Sequence, residues 1–250
     1  MPDKIPKSHP RYYSLITREK MRDAMKNGLV HETGLIAHGR GEAFDYLLGE
    51  KTIPVVDKAE RVAAALLLLA KNPVISVNGN VVVLASKECI NLSRLIPAKI
   101  EVNLFHRTEE RVSKIINLLK KEGAVDVYGE TADAKIPNLN HDRGLCDYDG
   151  IFTSDVIMIP LEDGDRCEAL KNMNKTVIAI DLNPISRTSK TADVSIVDDV
   201  TRALSNICIW AESLKGYKND ELKDIVSSYD NNLMLKEVLS YIAKRINHMF

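Results

Sequence analysis

Short apolar runs and amphipathic stretches alternate at least five times between Val74 and Lys215. VISV (Val74–Val77), KIEVNLF (residues 99–105), residues 125–128, VIMI (residues 156–159), TVIAI (Thr176–Ile180) and residues 194–197 read as strands. They are short, rich in β-branched residues and nearly all apolar. Helical stretches separate them. One follows Asn78-Gly79-Asn80 as far as Arg94. Another is capped by Thr108, shows an apolar face at Val112, Ile115, Ile116 and Leu119, and stops at Gly123. Further helices are expected at 166–173 and 199–215. Strand–helix alternation of this kind makes βαβ units, which demand parallel strands, and strands apolar on both faces need cover on both sides. The predicted fold is α/β: a doubly wound parallel sheet.

The flanks read as helical. A first helix spans 14–26 and is stopped by Gly28. Residues 34–38 form a short apolar stretch, and Gly39-Arg40-Gly41-Glu42 reads as a turn entering a short helix through Phe44, Tyr46 and Leu47 that ends at Gly49. Asp57 and Glu60 have capping-box spacing and should open a helix over 58–71. Two more helices are expected at 219–228 and 232–247. The chain is therefore expected to be one domain, with added N- and C-terminal helices: a mainly helical part (1–73), a sheet core (74–215) and closing helices (216–250). Two domains divided near residue 73 is the alternative.

Composition narrows the function. With 250 residues, 45% apolar and 28% charged, the chain can bury a sizeable core without disulfides or a structural metal. A net charge of −1 argues against a general nucleic-acid binder. The longest apolar run, residues 62–70, is well short of the roughly 20 residues that span a membrane. MPDKIPKSHPRYYS holds no apolar core of signal-peptide length, so a cytoplasmic protein is expected. Cys89, Cys146, Cys167 and Cys208 form no C-x-x-C pair, the histidines have no metal-ligand spacing, and no metal site is expected. Charge is uneven: residues 1–40 carry eight Lys/Arg against four acids, and residues 141–170 carry eight acids against two arginines. Each is a solvated surface, or else a cationic site for phosphates beside acids that hold Mg²⁺ or dock a subunit.

Ligands of an open parallel sheet bind beyond the carboxyl ends of its strands. Three segments stand out there. Asp181-Leu182-Asn183-Pro184-Ile185-Ser186-Arg187-Thr188 follows TVIAI. Its aspartate suits ribose hydroxyls or a hydrated metal, and its guanidinium and hydroxyls suit phosphate oxygens. Asn78-Gly79-Asn80 follows VISV, where Asn80 can cap a helix whose N-terminus favours an anion. Gly39-Arg40-Gly41, with Arg18 upstream, can aim backbone N–H groups and a guanidinium at phosphate, unless Arg40 simply pairs with Glu42. Asp198-Asp199 caps a helix or meets a base edge. Weaker candidates are the segment 8–13, which holds Arg11, and Gly164-Asp165-Arg166. The P-loop signature, the dinucleotide glycine fingerprint and the nucleophile elbow are all absent. The residues alone point to a protein for a nucleotide or another phosphorylated metabolite, with no protein nucleophile.

Taken together, IPKSHPRYYSL, GLIAHGRGEAFDYLLGE, SVNGN, IAIDLNPISRT and SIVDDVTRA resemble the archaeal phosphopantothenate synthetases, the 4-phosphopantoate–β-alanine ligases. The resemblance runs from Ile5 to about Lys215. It implies a Rossmann-like homodimer that uses ATP, with Mg²⁺, to join 4-phosphopantoate to β-alanine in coenzyme A synthesis, releasing AMP and pyrophosphate. It also implies ATP contacts at Arg18, Arg40, Asp181, Leu182, Asn183, Arg187, Thr188, Asp199 and Val200. Whether Asp199 acts through side chain or backbone stays open. Arg11 and Asn78 are candidates for the other substrates. His9, His38 and Glu42 are candidates, by position only, for the group that takes a proton from β-alanine. The competing readings are an NAD-dependent oxidoreductase and a non-enzymatic nucleotide-binding regulatory module.

Overall fold

A computed structural model describes residues 5–249. Three helices open the chain: α1 (Tyr12–Lys26), α2 (Glu32–Leu48) and α3 (Pro54–Leu69). Then come β1 (Val74–Val77), α4 (Gly79–Leu95), β2 (Lys99–Val102), α5 (Glu109–Lys121) and β3 (Val127–Tyr128). A small antiparallel pair, β4 (Ala134–Lys135) with β5 (Leu145–Cys146), stands apart from the main sheet. The rest is β6 (Val156–Pro160), α6 (Gly164–Asn172), β7 (Thr176–Ile180), α7 (Arg187–Thr191), β8 (Val194–Ile196), α8 (Val200–Leu214), α9 (Asn219–Ser227) and α10 (Asn231–Asn247).

Six parallel strands form the sheet in the order β3-β2-β1-β6-β7-β8. With the β4–β5 pair set aside, this is the doubly wound order 3-2-1-4-5-6. Successive residues of β1, β6 and β7 enter different cores, as the two-residue period requires. Ile75, Val77, Met158, Ile178 and Ile180 face the core that includes residues of α3, α4, α5 and α8. Val74, Ile157, Ile159, Val177 and Ala179 face the core that holds Cys167 and Leu170 of α6. The chain thus leaves β1 toward one face and β6 toward the other. Because β1 and β6 are neighbours, their carboxyl ends mark the topological switch point where such sheets bind ligands.

Several expected elements change. Residues 32–48 form one helix, not a turn followed by a short helix. His31 caps it by accepting from Thr33 N–H, and Gly49 ends it at φ +88°. Gly34, Gly39 and Gly41 lie inside it, and at Gly34 the cause is close packing: a Cβ would stand 2.4 Å from Asn80 Oδ1. α3 starts at Pro54, a first-turn position that suits proline, so Asp57 and Glu60 form no capping box. Asp57 instead accepts the Trp210 indole N–H, and Glu60 is fully buried. Asn78, not Asn80, caps α4. β2 ends at Val102 and β3 starts at Val127, both shorter than their apolar runs. The polar stretch after β3 contains β4, β5 and a π-type turn of helix at Tyr148–Phe152. All four cysteines are free and buried. No helix among the described residues is long and apolar enough to cross a membrane.

Candidate functional site

α2 lies across the carboxyl ends of the strands and gathers much of the candidate chemistry. Near its start the Gly34 carbonyl accepts from Asn80 Nδ2 at 2.8 Å. In its middle Gly41 faces Leu182 of the loop after β7. Near its end Asp45 pairs with Arg202 of α8. The backbone amides of the Gly39-Arg40-Gly41 segment belong to the helix interior, so they are not the free anion donors the sequence suggested. What the segment offers is the Arg40 guanidinium. Arg40 is exposed, makes no ion pair with Glu42, and its charge favours ionisation of Asp181.

Glu42 is instead the hub joining α1 to α2. It accepts from Arg18 Nε at 3.0 Å and Nη2 at 2.7 Å, from Tyr46 Oη at 2.6 Å and from the Ser14 hydroxyl. Arg11 stands 3.7 Å away and donates to Tyr46 Oη at 2.8 Å. Burial acts to raise the Glu42 carboxyl, but the hydrogen bonds of Ser14, Tyr46 and Arg18 outweigh it and hold the group at about 2. His38, one turn earlier, feels Glu42, Asp199 and Arg18. Burial pushes its imidazole below the usual histidine value, so it is neutral at pH 7.

The Asp181 loop is organised by its own side chains. Asp181 accepts from Asn183 N–H at 2.9 Å and from Ser186 Oγ at 2.6 Å. Burial pushes its carboxyl up against those bonds and the Arg40 charge. Ser186 caps α7. Arg187 opens that helix and pairs with Asp165 at 2.7 Å and Glu168 at 3.0 Å, both on α6. Gly164 makes room for it, since a Cβ there would meet Arg187 Cβ at 2.4 Å. Thr188 is buried and donates to the Glu162 carbonyl at 2.8 Å. Leu182 and Val200 are buried. Asp199 caps α8, accepting from Thr201 N–H at 2.9 Å and Arg202 N–H at 3.3 Å, so that oxygen is committed to the helix.

Asn78 spans the switch point. Its Oδ1 accepts from Val81 N–H, and its Nδ2 donates to the carbonyls of Leu161 at 3.0 Å and Pro160 at 3.4 Å, which ties β1 to the end of β6. Several acids of 141–170 hold structure in this chain. Asp147 accepts from Gly129 and Ala132 N–H, Asp155 from Lys71, Asn72 and Val156 N–H, and Asp163 caps α6. Among the described residues no group of three His, Cys, Asp or Glu could hold a metal ion.

Two polar networks were not foreseen as networks, although Asp198, Glu60 and Arg166 were named singly. Beneath the β8 end, Asp198 is fully buried and meets Thr52 and Arg202, while Asn206 joins Thr52 to Glu60 at 3.0 Å each. Beside the switch point, Glu162 lies between Arg143 and Arg166, all three nearly excluded from solvent. The only sequence signal for the second network was a pair of arginines in an otherwise acidic segment.

The strand order and the topological switch point define the class: a doubly wound, Rossmann-like α/β protein. The particular family follows from comparison. The sequence model described as phosphopantothenate/pantothenate synthetase matches residues 55–245, and the chain belongs to that family. It is 53% identical over 245 residues to a 4-phosphopantoate–β-alanine ligase of Methanosarcina mazei, covering 98% of this chain and 96% of that protein. It is 51% identical to the ligase of that name from Thermococcus onnurineus, over 98% and 95% of the two chains. The corresponding protein of Methanospirillum hungatei is 53% identical, over 97% and 98%.

Proposed function

We propose that this chain joins 4-phosphopantoate to β-alanine at the cost of ATP, giving 4′-phosphopantothenate, AMP and pyrophosphate, a step of coenzyme A synthesis. One observation carries the reading: about half of all positions are identical to ligases of that name over nearly the whole chain. The rim of the sheet supports it with cations and loops suited to phosphate.

In this reading ATP lies over the β7–β8 half of the rim. Arg18, Arg40 and Arg187 grip phosphate oxygens. Asp181, Leu182 and Asn183 shape the nucleoside seat, with Thr188 holding the loop behind it. Val200 presents its backbone N–H at the start of α8, a position that favours an anion, while the Asp199 N–H donates to Asp198 Oδ1 at 2.7 Å and must give up that bond to meet the nucleotide. Arg18 and Arg187 exchange their carboxylate partners for phosphate as the nucleotide arrives.

The pantoate carboxylate attacks the α-phosphorus in line and pyrophosphate departs. The amine of β-alanine then attacks the acyl carbon of the adenylate, and AMP leaves with the bonding electrons. No protein nucleophile is required. Positioning and fixed positive charge supply the rate. The attacking ammonium must first lose a proton. Glu42, held near 2, is too weak a base at pH 7. His9 is engaged by Arg11 N–H at 3.0 Å. His38, neutral and set among Arg18, Glu42 and Asp199, is the proposed acceptor.

Mg²⁺ arrives with the triphosphate rather than in a protein cage. That suits an ion bound through phosphates, water and one or two carboxylates. The enzyme works in the cytoplasm as a homodimer, each chain a single domain.

The test is product analysis. Mass spectrometry of the protein with Mg·ATP, 4-phosphopantoate and β-alanine should show AMP, pyrophosphate and 4′-phosphopantothenate. With ¹⁸O in the pantoate carboxylate, one label should appear in AMP. Label in inorganic phosphate together with ADP would overturn the adenylate route.

A further inference from the structure

The Asp198 carboxylate, just past β8, is crowded with donors. Its Oδ1 accepts from the Asp199 N–H at 2.7 Å, from Arg202 Nε at 2.9 Å and from Arg202 Nη2, while Oδ2 accepts from the Thr52 hydroxyl. The Asp198 side chain has no solvent exposure. Arg202 also reaches the other way. Its Nη1 donates to one oxygen of Asp45 on α2 at 3.2 Å, and its Nη2 to the other. One guanidinium therefore joins the middle of α2 to the segment that opens α8. A planar fork of fixed donors can hold two carboxylates in one geometry, which a lysine ammonium on a flexible stem does not do.

We propose that Arg202 is a positioning residue of the nucleotide site, clamping α2 against the start of α8 so that the groups on both meet one ligand. The inference rests on the reading above and deepens it. In that reading Arg40 and His38 approach the nucleotide from α2, and Asp199 and Val200 approach it from α8. Arg202 touches neither nucleotide nor substrate; it acts through Asp45 on one side and Asp198 on the other. The crowding on Asp198 adds a second effect. A buried carboxylate that loses its partners is strongly destabilised. When the Asp199 N–H turns from Asp198 to a phosphate oxygen, Oδ1 keeps both of its bonds from Arg202, which are charge-assisted. The amide can therefore change partner without leaving a buried charge unpaired.

The test uses Asp45→Ala, Arg202→Lys and the double variant, with ATP binding measured by calorimetry beside steady-state kinetics. Asp45→Ala opens the clamp from α2 and leaves Asp198 paired. Arg202→Lys keeps the charge but loses the fork. Asp45→Ala should weaken ATP binding at least fivefold and Arg202→Lys at least tenfold, with the KM for ATP rising in step. The KM values for 4-phosphopantoate and β-alanine should change less than twofold. The double variant should bind ATP within twofold of Arg202→Lys alone, because both substitutions open the same link. A link that serves stability alone would lower the urea midpoint and leave ATP binding unchanged. That result, or losses that multiply in the double variant, overturns the proposal. The Asp45 side chain is 15% exposed and lies on the α2 side, so Asp45→Ala decides the matter if Arg202→Lys fails to fold. Release of AMP by wild type tests the ligase reading separately. A wild type that binds ATP but releases no AMP removes that reading, and calorimetry on the variants still decides Arg202. A wild type that binds no ATP overturns both.

Discussion

Arg40 and Glu42 sit two residues apart on α2 and have opposite surroundings. Arg40 is exposed and free of ion pairs among the described residues, so removing it should leave the fold nearly untouched. Arg40→Ala is expected to change unfolding free energy by less than about 0.5 kcal/mol. It should lower kcat/KM for ATP at least tenfold, a loss of about 1.4 kcal/mol of transition-state binding. Unchanged turnover would remove Arg40 from the nucleotide site. Glu42 holds α1 against α2, and its carboxyl sits at about 2 rather than 4.5. A carboxyl with a depressed folded-state value adds stability above its unfolded value and loses it as pH falls through the folded one. Wild type should therefore lose this contribution between about pH 4.5 and pH 2. Glu42→Gln should start less stable at neutral pH and show a shallower acid loss, measured by urea denaturation at each pH. Glu60 has the reverse sign. Burial first, then the neighbouring Asp198, push it up to about 9, so folding is progressively disfavoured as pH rises from about 4.5 to 9. Glu60→Gln should match wild type near pH 4.5 and melt higher at pH 8. A lower melting temperature at pH 8 would mean that the folded carboxylate is ionised and satisfied.

The helices and strands show which sequence signals carry physical content and which mislead. Thr108 with Val112, Ile115, Ile116 and Leu119 announced α5 because cap and apolar stripe are local features, and the structure has both. The five-residue strands β6 and β7 were equally legible, since burial on both faces leaves half-buried Thr176, at the start of β7, as the one polar position in VIMIP and TVIAI. α2 was misread because its glycines look like turn signals. Their use is tertiary: Gly34 lets the helix approach Asn80, and Gly41 lies against Leu182. No pattern within residues 32–48 records those partners. The same reason hid Glu60, whose i+3 spacing from Asp57 imitates a cap while its contacts come from α8. Of the site, loops directly after strands could be found, because the sheet fixes where strands end. The Arg143–Glu162–Arg166 cluster could not, since Arg143 comes from a separate segment and meets the i,i+4 pair Glu162 and Arg166 only in the fold. α2 carries Arg40 and His38, so its seat bears on the proposed nucleotide site. Gly34→Ala gains helix propensity of up to about 1 kcal/mol but forces its Cβ onto Asn80 Oδ1, and overpacking typically costs 1–3 kcal/mol. The expected result is a lower melting temperature and a raised KM for ATP. A more stable variant with normal kinetics would show that the Gly34–Asn80 approach is slack.

At the level of the whole chain, helices before and after the sheet share its core. Leu48, Ile53 and Val56 from the N-terminal part pack in the same cluster as Ile75, Ile178 and Leu204, and as Leu235 and Val238 of α10. Polar contacts cross the residue-73 boundary as well: Asp45 to Arg202, Thr52 to Asp198, and Asp57 to Trp210. A division near residue 73 would sever these buried contacts and leave α3 without its apolar partners on α8. The chain should accordingly unfold as one cooperative unit. Trp210 is the single tryptophan and joins α8 to α3, so its fluorescence reports on the junction between the two parts. Far-UV circular dichroism reports on all helices together. In a urea titration the two signals should give coincident transitions with one midpoint, the signature of two-state unfolding. Loss of the Trp210 signal well before the helical signal would mean that residues 1–73 detach first. α2 would then be a separable arm, and the proposed nucleotide half of the rim would form only when that arm docks.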